Sequence, residues 1–258
     1  MKAKTILLDV DGTLYDNANK RVLPSTIKAL EKLKARGHNI VVATGRAYFM
    51  LYSIEEITHL VDHYILINGQ YIIVNGKTIY EDIMDTNEIE ALVKVLQNFN
   101  IVYGFQSTHS EAISDVNPKV IEIFEEIDLD LPPVDINFYK QNKVYQMWCF
   151  CSEEEARKIE EIFPNYEFVK WLTSGFDIIK KGQSKGKGLN IFIDHLGIDS
   201  RDIIAIGDGD NDIEMIAEAA IGIAMDNSTD KLKEAADYIT DDVSEDGVYN
   251  ALKHFNLI

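Results

Sequence analysis

The sequence predicts an α/β protein with a Rossmann-like, three-layer α/β/α core around a parallel sheet, into which a second α/β domain is inserted. Short apolar runs without alternation stand at residues 5–10 and 39–44, as is typical of strands buried on both faces. Apolar residues at helical spacing separate these two runs. The middle stretch has a different pattern of apolar residues. From residue 184 onward, the alternation of helix and buried strand returns, with a strand at 202–206.

The first part of the core is predicted to be a strand, a helix and a strand. Ile27, Leu30 and Leu33 recur at helical spacing after Pro24, which favours a helix start, and Gly37 is typical of a helix end. Elements of these lengths form a βαβ unit, whose crossover is right-handed in nearly all proteins. We therefore expect two neighbouring parallel strands here.

A hairpin is predicted after a third apolar run at residues 64–67. Asn75 and Gly76 lie between β-rich flanks in the segment 71–80, and an Asn-Gly pair is the strongest short-range signal of a two-residue turn. The parallel pattern is therefore expected to be interrupted at this point.

The middle of the chain is expected to form a separate sheet with helices on one face. Asp85 with Glu88, and Ser152 with Glu155, have the spacing of helix-capping pairs, and another helix is predicted at 118–127. These patterns predict a core made of residues 1–81 and 182–258, and an inserted domain at residues 82–181.

The charge of the chain excludes several kinds of partner. Its 258 residues include 25 basic and 43 acidic side chains, and the formal charge of −18 repels nucleic acid and anionic membranes. No leader pattern opens the chain, and no window approaches the roughly 18 apolar residues of a membrane span. The expectation is a soluble, cytoplasmic protein that binds neither nucleic acid nor membranes.

The two cysteines, Cys149 and Cys151, are separated by a single residue in an apolar run. We expect their side chains to point to opposite faces of a strand, because neighbours on a strand do so. A disulfide between them is therefore not expected.

Two carboxylates, Asp9 and Asp11, stand at the end of the first buried strand, and Gly12 and Thr13 follow them. Ligands of open α/β sheets bind at the carboxyl edge, and burying an unpaired carboxylate is costly. We therefore expect both carboxylates to face a cation or a polar crevice. A single Asp at a strand end is more often a turn former or a helix cap, so this pair alone leaves both interpretations open.

A second acidic group, the segment GDGDND at 207–212, follows the later buried strand. Clustered oxygen ligands without His or Cys predict a hard cation such as Mg²⁺, and they disfavour zinc and iron. An acidic turn that only caps the next helix would explain Asp212. It would not explain Asp208 together with Asp9.

Two other segments are candidates for binding an anion. Thr44, Gly45 and Arg46 follow the second strand, where a hydroxyl and backbone amides could hold phosphate oxygens. Lys185 stands at the start of a helix, where its ammonium could offset negative charge, although a single lysine is more commonly a solvated surface residue. Arg46 could contact a substrate or pair with an acidic neighbour.

Four motifs, in this order and spacing, resemble those of the haloacid dehalogenase (HAD) superfamily of phosphohydrolases. They span almost the whole chain and read DVDGTL at 9–14, TGR at 44–46, KG at 185–186 and GDGDND at 207–212. The long insertion between the second and third motifs, with NGQYIIVNGK before it, is similar to the Cof-like branch, subfamily IIB. Members of that branch carry a large α/β cap domain, so the resemblance implies a cap at 82–181 that selects the substrate.

The resemblance also implies a role for each candidate residue. Asp9 would be the nucleophile that forms an aspartyl-phosphate, and Asp11 the general acid and then the general base. Mg²⁺ would be held by the Asp9 carboxylate, the Asp11 backbone carbonyl and the Asp208 carboxylate, with Asp212 nearby. The phosphate-binding residues would be Thr44, Gly45, Arg46, Lys185 and Asn211. Lys187 is an alternative to Lys185, but Lys185 matches the register of the family better.

The function predicted from these features is a Mg²⁺-dependent phosphomonoester hydrolase that acts on a small phosphorylated metabolite, such as a sugar phosphate or a phosphorylated cofactor. The alternatives are a phosphomutase or phosphotransferase of the same superfamily and, from another class, a phosphorylation-regulated signalling module. Asp11 argues against the signalling module, because receiver domains lack an acid two residues after the nucleophile. The stretches 105–114 and 171–177 are candidates for substrate selection.

Overall fold

A computed structural model describes residues 2–126, 129–171 and 173–258. The chain divides into two compact units. We call Met1–Glu81 with Gln183–Ile258 the outer unit, and Asp82–Gly182 the inserted unit.

The regular elements are numbered in chain order. The strands are β1 (Thr5–Leu8), β2 (Tyr15–Asp16), β3 (Arg21–Val22), β4 (Asn39–Ala43), β5 (His63–Leu66), β6 (Tyr71–Val74), β7 (Lys77–Glu81), β8 (Val102–Gln106), β9 (Glu111–Ile113), β10 (Gln146–Phe150), β11 (Tyr166–Lys170), β12 (Gly175–Lys180), β13 (Ile203–Gly207), β14 (Ile221–Ala224) and β15 (Tyr238–Ile239). The α-helices are α1 (Pro24–Ala35), α2 (Thr86–Asn98), α3 (Pro118–Glu126), α4 (Glu153–Ile162), α5 (Lys185–Leu196), α6 (Ile213–Glu218), α7 (Asp230–Ala235) and α8 (Gly247–His254). Shorter 3₁₀ segments lie at Tyr48–Leu60, Phe138–Lys140, Ser200–Asp202, Asp210–Asp212 and Val243–Glu245. Within the described ranges, none of the helices is long and apolar enough to cross a membrane.

The outer unit is built on an eight-stranded sheet with the order β15-β14-β13-β1-β4-β5-β6-β7. The strands from β15 to β5 are parallel, and β6 and β7 extend the sheet as an antiparallel hairpin. Asn75 and Gly76 form its turn with φ of 50° and 73°, as a two-residue turn of this hand requires. The predicted α/β class, the βαβ unit and the hairpin are confirmed.

Helices cover both faces of this sheet. Leu7 and Val41 point to the face on which α5 and α6 pack through Leu189, Phe192 and Met215. Helix α1 packs against β4 and α8 and covers the other face. Because both faces are buried, the central strands contain apolar residues without alternation, which is the pattern that predicted them.

The inserted unit contains a five-stranded antiparallel sheet with the order β11-β12-β10-β8-β9. One face, with Met147 and Cys149, packs against α2 and α4. The other face, with Trp148 and Phe150, packs against Phe124 of α3. The prediction of helices on one face only is therefore wrong, because alternate residues of β10 give the sheet a second apolar surface.

The helix caps predicted in the inserted unit are confirmed. The Asp85 side chain accepts hydrogen bonds from the backbone N–H groups of Asn87 and Glu88, and Ser152 with Glu155 forms a complete capping box. Helix α3 follows the predicted segment 118–127, whose last residue, 127, lies outside the described residues. Strand β9, within the stretch 105–114, was not predicted.

The two cysteines lie on the same face of the inserted sheet. Cys149 Sγ and Cys151 Sγ are 3.7 Å apart, and both residues are buried as free thiols in the same apolar cluster. The prediction that they point to opposite faces is wrong, because residues two apart on a strand share a face.

Candidate active site

The predicted site residues of the core begin at one edge of the outer sheet. β1 lies between β4 and β13, and all three strands are parallel. Asp9, Thr44 and Asp208 are the residues that directly follow these strands. The Asp9 backbone N–H donates to the Ile206 carbonyl at 3.1 Å and continues the ladder to this edge. Neighbouring parallel strands therefore bring residues that are far apart in sequence to one place.

Three carboxylates form a compact group at this edge. Asp9, Asp208 and Asp212 each offer an oxygen, and these oxygens all lie within 4.8 Å of one another. Burial, and next the charge of Asp212, raise the pKa of Asp9 well above its ordinary value. The same two causes raise the pKa of Asp208 to about 6. The cluster therefore carries more negative charge than its protein surroundings compensate.

Lys185 provides the positive charge within this group. Its Nζ donates to Asp9 Oδ1 at 2.7 Å and to Asp212 Oδ1 at 2.7 Å, and its side chain is only 1% exposed. Burial lowers the pKa of Lys185, but the charges of Asp212 and Asp9 outweigh burial and raise it. A charged ammonium is thus fixed between two of the carboxylates.

The donor set fits a hard divalent cation. Its groups are carboxylate oxygens, which Mg²⁺ and similar ions prefer. Asp9 and Asp208 each offer one oxygen of this group, within 4.8 Å of each other, and two carboxylates this close repel each other unless a proton or a cation compensates them. The group holds three carboxylates and one ammonium, which pairs with two of them, so a divalent ion would compensate the remaining charge.

Asp212 contributes in a different way from the other two carboxylates. Its Oδ1 accepts from Lys185, and its Oδ2 accepts from the backbone N–H groups of Asp208 and Gly209, each at 3.0 Å. Both oxygens are therefore engaged in holding Lys185 and the loop that carries Asp208.

Three residues without a predicted role help to place Asp208. Thr13 Oγ1 donates to Asp208 Oδ1 at 3.3 Å, and Asn227 Nδ2 donates to the Gly12 carbonyl at 2.8 Å. Gly12 has a φ of +68°, and a Cβ there would meet Asp208 Oδ2 at 2.1 Å. Asn227 follows β14, a neighbour of β13 in the parallel sheet, so the strand-edge argument that found Asp208 could have found Asn227 as well.

Arg46 pairs with Asp11, which is one of the two roles that the sequence left open. Arg46 Nη2 donates to Asp11 Oδ1 at 2.6 Å, and Nε donates to Oδ2 at 2.7 Å. Among the described residues, the group of carboxylates able to share a metal contains Asp9 but not Asp11. The two acidic residues of the first motif therefore have different partners.

A strained turn connects the remaining phosphate-binding candidates. Asn211 Nδ2 donates to Asn68 Oδ1 at 3.1 Å, and the Asn68 backbone N–H donates to the Thr44 carbonyl at 3.1 Å. Ile67 and Asn68 both have positive φ, of 51° and 49°. Positive φ is costly for a β-branched residue such as Ile67, and strain of this kind concentrates at functional sites. Asn68 lies in the NGQYIIVNGK segment but was not predicted as a site residue.

Comparison with known proteins places this site in a family. A profile of the haloacid dehalogenase-like hydrolases matches residues 6–252. The Bacillus subtilis protein YkrA is 34% identical over 261 positions, which cover 100% of both chains. Among solved structures, BT1666 from Bacteroides thetaiotaomicron, one of the phosphatases of the HAD superfamily, has a TM-score of 0.91 and 32% identity, covering 99% of this chain and 96% of its own. The sugar phosphatase BT4131 of HAD subclass IIB has a TM-score of 0.87 and 34% identity, covering 99% of this chain and 100% of its own.

The fold and the matches across the chain define a hydrolase of the HAD class, and the chain belongs to the haloacid dehalogenase-like hydrolase family. Within the family it is a phosphatase of the IIB, Cof-like branch. The resemblance predicted from the four motifs is thereby confirmed.

Proposed function

We propose that this phosphatase hydrolyses small phosphomonoesters with Mg²⁺ and through an aspartyl-phosphate on Asp9. The observation that carries the proposal is the position of Asp9 at the sheet edge, buried beside Asp208 and held by the Lys185 ammonium at 2.7 Å. A nucleophilic carboxylate needs a fixed orientation and compensating charge to approach a phosphate dianion. Lys185 and a cation would supply that charge.

The cation would be held by the carboxylates of Asp9 and Asp208 and by the backbone carbonyl of Asp11. When bound, it would neutralise charge on the phosphoryl group and orient it. Asp212, with both oxygens already accepting hydrogen bonds, would act by holding Lys185 and the Asp208 loop.

The reaction would proceed in two transfers at phosphorus. In the first, an Asp9 carboxylate oxygen bonds to phosphorus, the bond to the leaving oxygen breaks, and Asp11 gives its proton to that oxygen. In the second, Asp11 takes a proton from water as the water oxygen bonds to phosphorus and the Asp9–phosphorus bond breaks. Inorganic phosphate is released, and both aspartates return to their initial states.

The phosphoryl oxygens would be bound by residues around the turn after β4. Thr44, Gly45, Lys185 and Asn211 are the candidates, and the hydrogen bonds from Asn68 to Thr44 and from Asn211 to Asn68 support a common site for them. The substrate would be a small phosphorylated metabolite. A sugar phosphate is the first class to test, because BT4131 is named a sugar phosphatase.

The inserted unit would serve as the cap that selects the substrate, as in the branch to which the chain belongs. Its sheet carries polar side chains in register on one face: Gln106 pairs with Gln146 on one side and with Glu111 on the other. Polar groups of this kind could distinguish the hydroxyls of one leaving group from those of another.

Purified protein with Mg²⁺ should hydrolyse an aryl phosphate and at least one member of a panel of sugar and cofactor phosphates. Acid-quenched samples should carry one phosphoryl group on the peptide that contains Asp9, and Asp9→Asn should lose both the label and turnover. Hydrolysis without any label on that peptide would refute the covalent route. A lack of hydrolysis of every ester tried would refute the proposed function itself.

A further inference from the structure

We propose that Arg46 is a positioning residue that holds the carboxylate of Asp11, and that it is not a ligand of the substrate phosphate. The inference rests on the proposed acid and base role of Asp11. It replaces the phosphate-binding role that the TGR motif suggested for Arg46.

The first observation is the geometry of the pair. Both nitrogens on one edge of the guanidinium donate to both oxygens of Asp11, at 2.6 and 2.7 Å. Two parallel N–H···O bonds fix the plane of the carboxylate as well as its distance, which a single bond would not do. The proton-transfer atom of Asp11 is therefore held in one orientation.

The second observation is that the guanidinium is itself held on its other edge. Nη1 donates to the Met50 carbonyl at 2.9 Å and to Ser53 Oγ at 2.8 Å. The guanidinium also lies 5.8 Å from the centre of the Tyr15 ring. The Arg46 side chain is 18% exposed and that of Asp11 is 41% exposed, so the anchored partner is the arginine and the carboxylate faces solvent.

Counting donors shows what Arg46 can still bind. An arginine has five N–H groups. The four hydrogen bonds to Asp11, Met50 and Ser53 engage four of them. Bidentate recognition of a phosphate needs two adjacent donors, so Arg46 would have to release Asp11 or its anchor to provide it.

The pair also explains how two carboxylates two residues apart can do different work. If the Asp11 carboxylate were free to move, it would be drawn to the same cation that Asp9 and Asp208 would hold. Arg46 offers Asp11 an alternative positive partner on the side of the turn after β4. Asp11 thereby stays available for proton transfer, while Asp9 and Asp208 share the cation.

The test compares Arg46→Met, Asp11→Asn and the double variant. If Arg46 acts through Asp11, Arg46→Met should lower kcat for an alkyl phosphate by roughly 10- to 100-fold, which is part of the roughly 100- to 10,000-fold that a well-placed general acid contributes. KM should change little, and the affinity for inorganic phosphate with Mg²⁺, measured by calorimetry, should stay within about threefold of wild type. With 4-nitrophenyl phosphate, whose leaving group needs no proton, the single-turnover rate of phosphorylation should fall much less.

The double variant provides the decisive comparison. Adding Arg46→Met to Asp11→Asn should cause no further loss, because the residue that Arg46 positions is already disabled. Arg46→Lys should lose as much kcat as Arg46→Met, because an ammonium cannot form the two parallel hydrogen bonds to Asp11. A tenfold loss of phosphate affinity in Arg46→Met would overturn the inference. So would an equal loss of kcat when Arg46→Met is added to the wild-type enzyme and to Asp11→Asn. Absence of wild-type turnover would instead overturn the proposed function, and this inference with it.

Discussion

Lys185 Nζ and Asp212 Oδ1 lie 2.7 Å apart, and both side chains are almost completely buried, at 1% and 0% exposure. The pair connects the first turn of α5 to the loop after β13, and Asp212 in turn holds the backbone of Asp208. A buried ion pair of this kind repays the cost of desolvation only while both partners are present. The site therefore depends on one lysine for structure as well as for charge.

Lys185→Met is expected to destabilise the metal-free protein strongly. Removing one member of a buried pair typically costs about 3–5 kcal/mol, because the other charge is left uncompensated. The midpoint of urea unfolding in EDTA should fall accordingly, and added Mg²⁺ should recover part of the loss by compensating the same carboxylates.

The matched control for that variant is Lys187→Met, which changes a partly exposed lysine in the same helical turn. Its effect on unfolding should stay within about 0.5 kcal/mol, as for most surface substitutions. Equal destabilisation by the two variants would show that Lys185 has no special structural role. The comparison also decides between Lys185 and Lys187 as the functional lysine, because only one of the two should abolish turnover.

Gly12→Ala is expected to weaken metal binding by roughly 10- to 100-fold, the usual effect of disturbing the residues that orient a ligand. The added Cβ would lie 2.1 Å from Asp208 Oδ2, so the carboxylate would have to move. Gly37→Ala is the control, since Gly37 also has positive φ, at +79°, but apart from its two chain neighbours none of the described residues has an atom within 4 Å of where its Cβ would stand. Both variants should lose about 1–2 kcal/mol from the strained backbone.

Titration with Mg²⁺, followed by the shift in Tm, separates these two effects. Gly37→Ala should keep the wild-type Mg²⁺ affinity, and Gly12→Ala should not. If both glycine variants bind Mg²⁺ with wild-type affinity, a Cβ at position 12 does not displace Asp208 from the metal site, and the prediction is wrong.

The sequence was sufficient to place the residues that follow parallel strands. Asp9, Thr44 and Asp208 each follow an unalternating apolar run, and neighbouring parallel strands must end at one edge, so their proximity follows from topology. The pairing of Arg46 with Asp11 could not be predicted in the same way. It depends on which way a long side chain turns after the strand ends, and the sequence offered two partners of similar merit.

The errors in the inserted unit have a simple origin. β10 reads QMWCF, an unalternating run, and such a run indicates a strand with apolar residues on both faces. This signal was enough to predict a helix on each side of the sheet. The two cysteines were assigned to opposite faces although their spacing of two residues places them on the same one.

Asp208→Asn is expected to have opposite effects with and without metal. In EDTA above pH 6, the variant should be at least as stable as wild type. The pKa of Asp208 is raised to about 6, so its charged form costs stability as the pH rises through that value. With Mg²⁺, wild type should gain about 2.7 kcal/mol when the ion is present at 100 times its Kd, and the variant should gain almost none.

Asp210→Asn is the control from the same loop, because Asp210 pairs with Lys231 and Thr229 rather than with the carboxylate cluster. It should keep the full stabilisation by Mg²⁺. Thermal unfolding of both variants at pH 7.5, once in EDTA and once with Mg²⁺, measures the stabilisation that the ion gives each of them. A Mg²⁺ response in Asp208→Asn equal to that of wild type would remove Asp208 from the metal site.

Asp177→Asn is expected to stabilise the inserted unit at pH 8. Burial raises the pKa of Asp177 to about 7 from its ordinary value of 3.8, although Gln146 lowers it in part by hydrogen bonding. A carboxyl group whose pKa is higher in the folded than in the unfolded protein adds stability at pH values below its unfolded-state pKa. This contribution is lost as the pH rises through its folded-state pKa. The difference between variant and wild type should therefore be small near pH 4, grow between about pH 4 and 7, and reach on the order of 1–3 kcal/mol above pH 7.

Asp85→Asn in the same unit should show the opposite trend. Hydrogen bonds from the Asn87 and Glu88 backbones lower the pKa of Asp85, so its charged form adds stability at neutral pH that is lost on acidification. Asn retains the cap but not the charge, so this variant should be less stable than wild type at pH 8 and similar to it near pH 3. Urea unfolding at several pH values from 3 to 8 measures both. If the curve of Asp177→Asn runs parallel to that of wild type across this range, Asp177 is not a carboxyl that burial keeps protonated.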